Sequence, residues 1–158
     1  MSKINSLIIV LFTMLIFSLS IISQPSHRKM VRDYERKIFE KENAWRLTKR
    51  FATDIGSENA WTSDNGFIVV NIHKFSSSEE ALNVLHASRT NLAAGGVREF
   101  KGFADAAYEH FGQGGLFRGL YFVKGDSMVT IDRDPIGKVE IPVVHRFAKQ
   151  VLEAMEGK

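Results

Sequence analysis

The chain has 158 residues, a formal charge of +3 at neutral pH and no cysteine, which excludes disulfides, thiol catalysis and lipid attachment through a cysteine. Its 44% hydrophobic content, twelve phenylalanines and only three prolines exclude a disordered tail and describe a packed globule.

The first element is the apolar run LIIVLFTMLIFSLSII, Leu7 to Ile22, which holds no charge, glycine or proline. It is slightly short of the roughly 20 residues that cross a bilayer as a helix, and it follows a start bearing only Lys3. Residues 1–24 therefore read as a signal peptide or N-terminal anchor that meets the membrane at least transiently. Ser18, Ser20 and Ser23 offer cleavage positions ahead of Gln24 and Pro25. The expected location is exported: periplasmic, secreted or outward-facing on an anchor. Arg28, Lys29, Arg32, Arg36 and Lys37 follow the run and outweigh Lys3 before it. Because such residues stay cytoplasmic, the alternative is an anchored chain with its domain in the cytoplasm.

From Arg28 to Arg50 nine basic residues face four acidic ones, whereas Phe51 to Lys158 carries eleven basic and fourteen acidic. The basic stretch suits anionic lipid headgroups at about 1 kcal/mol per charge, with Arg28, Lys29, Arg32, Arg36 and Lys37 as the membrane-surface candidates. It equally suits a solvated helix face with pairs such as Arg36 and Glu40. Nucleic acid is not an expected partner, since aromatic and base-reading polar residues are not interleaved.

Residues 25–158 are the length of one domain. Val31, Tyr34, Ile38, Trp45 and Phe51 recur near helical spacing, so an amphipathic helix is expected over about 29–51, ended by Thr53, Asp54 and Gly56. A polar loop runs to Gly66, and Phe67 to Phe75 alternates as a strand. Ser76 with Glu79 and Ser77 with Glu80 each spell a capping box, after which Ala81, Leu82, Leu85, Ser88 and Leu92 form one face of a helix that ends at Gly95 and Gly96. VREFKGF and AYEHF read as brief strands. FRGLYFVK and SMVTID flank Gly125 and Asp126 as a hairpin. Pro142 opens a last helix whose apolar face includes Val144, Phe147, Val151 and Met155. The expected class is α+β: an antiparallel sheet of four to five strands with about three helices over about 66–156, preceded by the apolar N-terminal segment.

The succession FSSSEEALNVL, GFADAAY and LYFVKGDSMVTI, followed by an amphipathic helix, resembles small bacterial exported or lipoprotein-like α+β domains of uncharacterised function. The resemblance covers Phe67 to Met155. Where such domains often carry Gly-Asp, this chain has Ala104 and Asp105, and it lacks the lipobox cysteine. The resemblance implies an envelope-facing accessory or binding domain and carries over no catalytic residue.

No short motif specifies chemistry. FGQGGLFRG lacks the Gly-Lys-Ser/Thr ending of a phosphate loop and reads as a turn. His27, His73, His86, His110 and His145 lack metal-ligand spacing, with His145 placed on a polar flank facing solvent. Asp126, Asp132, Asp134 and Glu140 do not follow an EF-hand order and suit turns. No cofactor or metal is expected. Phe103, Tyr108, Phe117 and Tyr121 are the candidate binding residues, because alternation places Phe117, Tyr121 and Val123 on one strand face. The leading expectation is an accessory or binding module for a protein or small apolar ligand, with no readable catalysis. The alternative is a small hydrolase or metal-dependent enzyme built on His73, His110 and Asp105.

Overall fold

The computed structural model describes residues 26–92 and 95–158. The expected signal or anchor, residues 1–24, lies outside them. Among the described residues no helix is long and apolar enough to cross a membrane.

Helix α1 (His27–Lys41) opens at Ser26, whose hydroxyl accepts the Lys29 N–H at 3.3 Å, and it buries Met30, Val31, Tyr34 and Ile38. It ends ten residues before the expected Phe51. The Glu42 N–H still bonds the Ile38 carbonyl, but its backbone leaves the helix at φ −122° and ψ 60°. Arg146 holds the Glu42 carboxylate at 2.6 Å, and Trp45 turns into the core. The chain then continues as strand β1 (Arg46–Ala52), in which only Ala52 is better than exposed. An edge strand of this kind needs no apolar alternation, so RLTKRFA passes for the polar side of a helix.

Strand β2 (Gly56–Ser63) replaces the expected loop. Its inward side chains are Ser57, Asn59 and Trp61, and two of these three are polar, which erases the hydrophobic period that would mark a strand. Strand β3 (Gly66–Lys74) and helix α2 (Ser78–Leu92) follow as expected. The Glu80 N–H donates to Ser77 Oγ at 3.1 Å, while the Glu80 carboxylate accepts from the Ser76 N–H at 3.0 Å and from the Ser76 hydroxyl rather than from the Ser77 N–H, so the cap spans both expected boxes instead of closing either one. Strands β4 (Val97–Glu99), β5 (Ala106–Phe111), β6 (Phe117–Lys124) and β7 (Ser127–Arg133) lead to helix α3 (Ile141–Met155), with Pro142 in its first turn.

Among the described residues, seven strands form one antiparallel sheet in the order β1-β2-β3-β7-β6-β5-β4. The count exceeds the expected four to five because β1 and β2 are hidden for the reasons above. Lys124 pairs with Ser127, so Gly125 and Asp126 make the two-residue turn, with Gly125 at φ +58°. The expected class, an α+β protein with three helices, holds for the described residues.

Helices α1 and α3 run antiparallel on one face, joined by Arg146 to Glu42 and by Lys37 to Glu153. Beneath them lie Trp61, Ile68, Val70, Leu120, Phe122 and Ile131. Helix α2 covers part of the other face, packing Ala81 and Leu85 on Tyr108, Val123 and Met128. A bulge decides which face receives Phe117. His110 pairs with Gly119 but Phe111 pairs with Phe117, so Arg118 is the extra residue and the alternation shifts by one. Phe117 therefore joins Leu120 and Phe122 under α3, away from Tyr121.

Candidate functional site

Four distant parts of the sequence meet where α1 begins. The Phe75 N–H bonds the Asp126 carbonyl at 2.8 Å, fastening the end of β3 to the β6–β7 turn. The first turn of α1 and the last of α3 close over this junction. Between them lies a cavity of about 140 Å³, lined by His27, Met30, Lys74, Lys124, Ser127 and Met155, with Gly125, Asp126 and Glu156 completing its wall.

His27 is 8% exposed, and its Nε2 is buried without a hydrogen-bond partner. Burial lowers its pKa, against a hydrogen bond from the ring to the Gly56 backbone. The ring lies beside the Gly56 backbone, and Nε2 is its unpaired atom. In the neutral tautomer protonated at Nδ1, Nε2 keeps a lone pair as an unused acceptor. The surrounding charges are paired. Lys74 Nζ lies 3.4 Å from Asp126, and Lys124 Nζ lies 3.1 Å from Asp105 and 3.6 Å from Glu156. The bond to Asp105 raises the Lys124 pKa above its ordinary value, so this ammonium stays charged. The site thus offers one unused acceptor, two ammonium groups, two carboxylates and two thioether side chains. It can hold a small molecule carrying both signs of charge.

Sequence reading missed this assembly. Its residues come from positions 27–30, 74, 124–127 and 155–156, and no local spacing signals a site built only by tertiary packing.

The sequence-selected residues are placed elsewhere. His73 is exposed beside Phe75, with ring centroids 4.6 Å apart. His110 is on β5, and β7 and β6 intervene between β3 and β5, a lateral separation of roughly 14 Å at the usual strand spacing. Asp105 accepts the Gly125 N–H at 2.7 Å and the Lys124 ammonium. Burial would raise its carboxyl, but these contacts outweigh it and hold the pKa down. His73, His110 and Asp105 therefore do not converge. Phe117 and Phe103 belong to the helix-pair side, Phe103 lying edge-on to Phe122 at 5.2 Å. Tyr108 and Tyr121 face α2, 5.4 Å apart. The four candidate aromatics do not form one groove.

Of the basic residues of α1, Arg28 pairs with Asp54, Lys29 and Arg36 with Asp33, and Lys37 with Glu153. Arg32 is exposed. Arg36 thus meets Asp33 rather than the expected Glu40, and most of these side chains remain on the surface. His145 is not solvent-facing as expected: its Nε2 meets Glu109 Oε1 at 2.8 Å and its ring stacks on Phe100 at 4.8 Å. The reason is the position of β5, which sets Glu109, 1% exposed, beneath α3. Arg98 on β4 completes the contact, its Nε donating to Glu109 at 2.6 Å.

The α2 side of the sheet carries Asp132, which accepts the Tyr121 hydroxyl at 2.9 Å. Burial raises its carboxyl above the usual range, against this bond, the charge of His110 and Thr130. With the folded pKa above the unfolded one, the native state holds the extra proton. Stability is fully present below the unfolded pKa and falls as pH rises through the folded value. Asp132→Asn, which keeps an acceptor for Tyr121, is expected to raise the unfolding midpoint at pH 7. The gain should vanish below the ordinary carboxylate range, a difference measured by urea unfolding at both pH values. Among the described residues no group of three or more His, Asp or Glu is placed to hold a metal ion.

Comparison with family models, curated proteins and solved structures finds no match to this chain.

Proposed function

We propose that this chain is an exported or membrane-anchored binding module of the cell envelope, whose cavity beside His27 takes a small zwitterion with an apolar body, such as an aliphatic α-amino acid. The observation that carries the reading is the buried, unpartnered Nε2 of His27. A buried polar atom without a partner costs about 1–3 kcal/mol, and a ligand ammonium or N–H donated to it recovers that cost. Lys74 and Lys124 supply donors for a carboxylate, and Asp126 and Glu156 add to the attraction for the ammonium. Met30 and Met155 adapt to an aliphatic side chain, since thioethers are flexible and polarisable. A volume of about 140 Å³ leaves room for several water-sized groups, as a small amino acid needs.

Location supports the same reading. His27 stands five positions after Ile22, a reach of at most about 18 Å for extended chain. If the apolar run is held in a bilayer, the cavity opens close to its surface.

The test is calorimetric titration of the full-length protein with valine, with isobutylamine and with isobutyrate. Valine is expected to bind one to one with a dissociation constant of about 0.1–1 mM, and each half-ligand at least about tenfold more weakly. His27→Phe keeps an aromatic ring at the site and should weaken valine about tenfold. Ser127→Ala serves as the second variant should the first fail to fold. Equal binding of valine and isobutylamine, no heat from any compound up to about 10 mM, or unchanged affinity in a folded His27→Phe protein sinks the proposal.

A further inference from the structure

We infer that the cleft between α2 and the loop joining β4 to β5 is a second binding site, for the oxyanion of a small organic phosphate or carboxylate. The cavity there measures about 160 Å³. His86 and Arg89 line it from α2, Lys101 from the loop, and Tyr108 from β5.

Its two carboxylates are Asp105 and Glu99. Asp105 holds Lys124 and the Gly125 N–H, and Glu99 sits 4.0 Å from Lys101. Among the described residues Arg89 and His86 have no carboxylate partner, so the cleft keeps an unneutralised guanidinium. A guanidinium presents parallel N–H donors that match the paired oxygens of a carboxylate or phosphate.

Tyr108 supplies the independent observation. It is 3% exposed, and its hydroxyl is buried with no hydrogen-bond partner. The Ser88 hydroxyl near by donates to the Val84 carbonyl at 2.9 Å and does not reach hydrogen-bond geometry with the phenol. Burial pushes the phenol up to about 12, so it remains a neutral donor throughout the physiological range. A buried donor with nothing to bond is satisfied by an anionic oxygen entering the cleft.

The opposite lip is strained. Ala104 has φ +56° and Gly102 φ +74°, and only glycine adopts that region freely. The Phe100 N–H bonds the Ala107 carbonyl and the Asp105 N–H bonds the Val123 carbonyl, each at 3.0 Å, so both ends of the loop are fixed. Phe100 and Phe103 also line the space, giving apolar wall against an organic body. A left-handed alanine kept at the mouth of a cleft lined by Arg89 and Lys101 fits the general placement of backbone strain at binding sites.

The experiment titrates the full-length protein, at constant ionic strength set with chloride, with inorganic phosphate and separately with acetate, following binding by calorimetry. One of the two is expected to saturate at about millimolar concentration. Arg89→Gln should weaken it about tenfold and Tyr108→Phe, which retains the buried ring, severalfold, with circular dichroism unchanged in both. A preference for phosphate assigns the ligand to phosphorylated compounds, and a preference for acetate assigns it to carboxylates. His27→Phe should leave this binding intact, which separates the cleft from the cavity at the start of α1. Absence of saturation by either anion up to about 50 mM, or equal affinity in wild type and both folded variants, overturns the inference.

Discussion

Glu109→Ala is expected to destabilise the protein by about 3–5 kcal/mol, measured by urea unfolding. The carboxylate is 1% exposed, and both of its partners come from other elements: Arg98 from the three-residue edge strand β4 and His145 from α3. Removing it leaves two donors facing an emptied site beneath the stacked rings of Phe100 and His145. The cost arises from stranding the partners rather than from the attraction itself. Replacing all three together, Arg98→Leu, Glu109→Leu and His145→Leu, should therefore restore much of the loss. Amide exchange at Val97 to Glu99 is expected to accelerate in the single variant, because β4 has only β5 beside it. A single-variant loss below about 1 kcal/mol would mean that water replaces the lost contacts and that Glu109 is not a structural centre.

What was legible in the sequence follows from where side chains meet water. The β6–β7 hairpin was readable because both strands are flanked on two faces by helices or neighbours, leaving Leu120, Phe122, Val129 and Ile131 in the core around a glycine turn. Helix α3 was readable for a similar reason: Val144, Phe147, Ala148, Val151 and Ala154 fall on one buried stripe. β1 was not, since an edge strand is held by its backbone and its side chains remain exposed. Nor was β2, where Ser57 and Asn59 occupy inward positions and Asn59 Nδ2 donates to Glu35 at 2.6 Å. The single extra residue at Arg118 reversed the side on which Phe117 falls. No periodicity reports a bulge, because periodicity assumes the register that the bulge breaks. The site residues share this difficulty. His27 and Tyr108 are distinguished by what they fail to bond, a property of the packed molecule that no spacing encodes.

Phe147→Ala is expected to cost about 3–5 kcal/mol, the range for truncating a buried aromatic. Phe147 is fully buried, and its ring stands edge-on to Trp45 at 5.3 Å and to Trp61 at 6.0 Å. Those contacts join α3 to the turn that ends α1 and to β2, two of the places where the chain departs from the expected elements. A domain of this size holds only about 5–15 kcal/mol, so the loss should leave the variant marginal near 37 °C. Trp45 and Trp61 are the only tryptophans, which makes native-state fluorescence a direct reporter. Its emission should shift to the red as the cavity loosens both rings, before global unfolding begins. Phe39→Ala removes the same side chain from a position 73% exposed and should change stability by less than about 0.5 kcal/mol. Equal losses in the two variants would show that Phe147 does not tie the helix pair to β2. A large loss at Phe147 alone, with the red shift preceding unfolding, would identify this aromatic junction as what keeps α1 and α3 together over the sheet. Because the cavity beside His27 is closed by the first turn of α1 and the last of α3, the valine binding proposed for it should weaken in Phe147→Ala even under conditions where the variant remains folded.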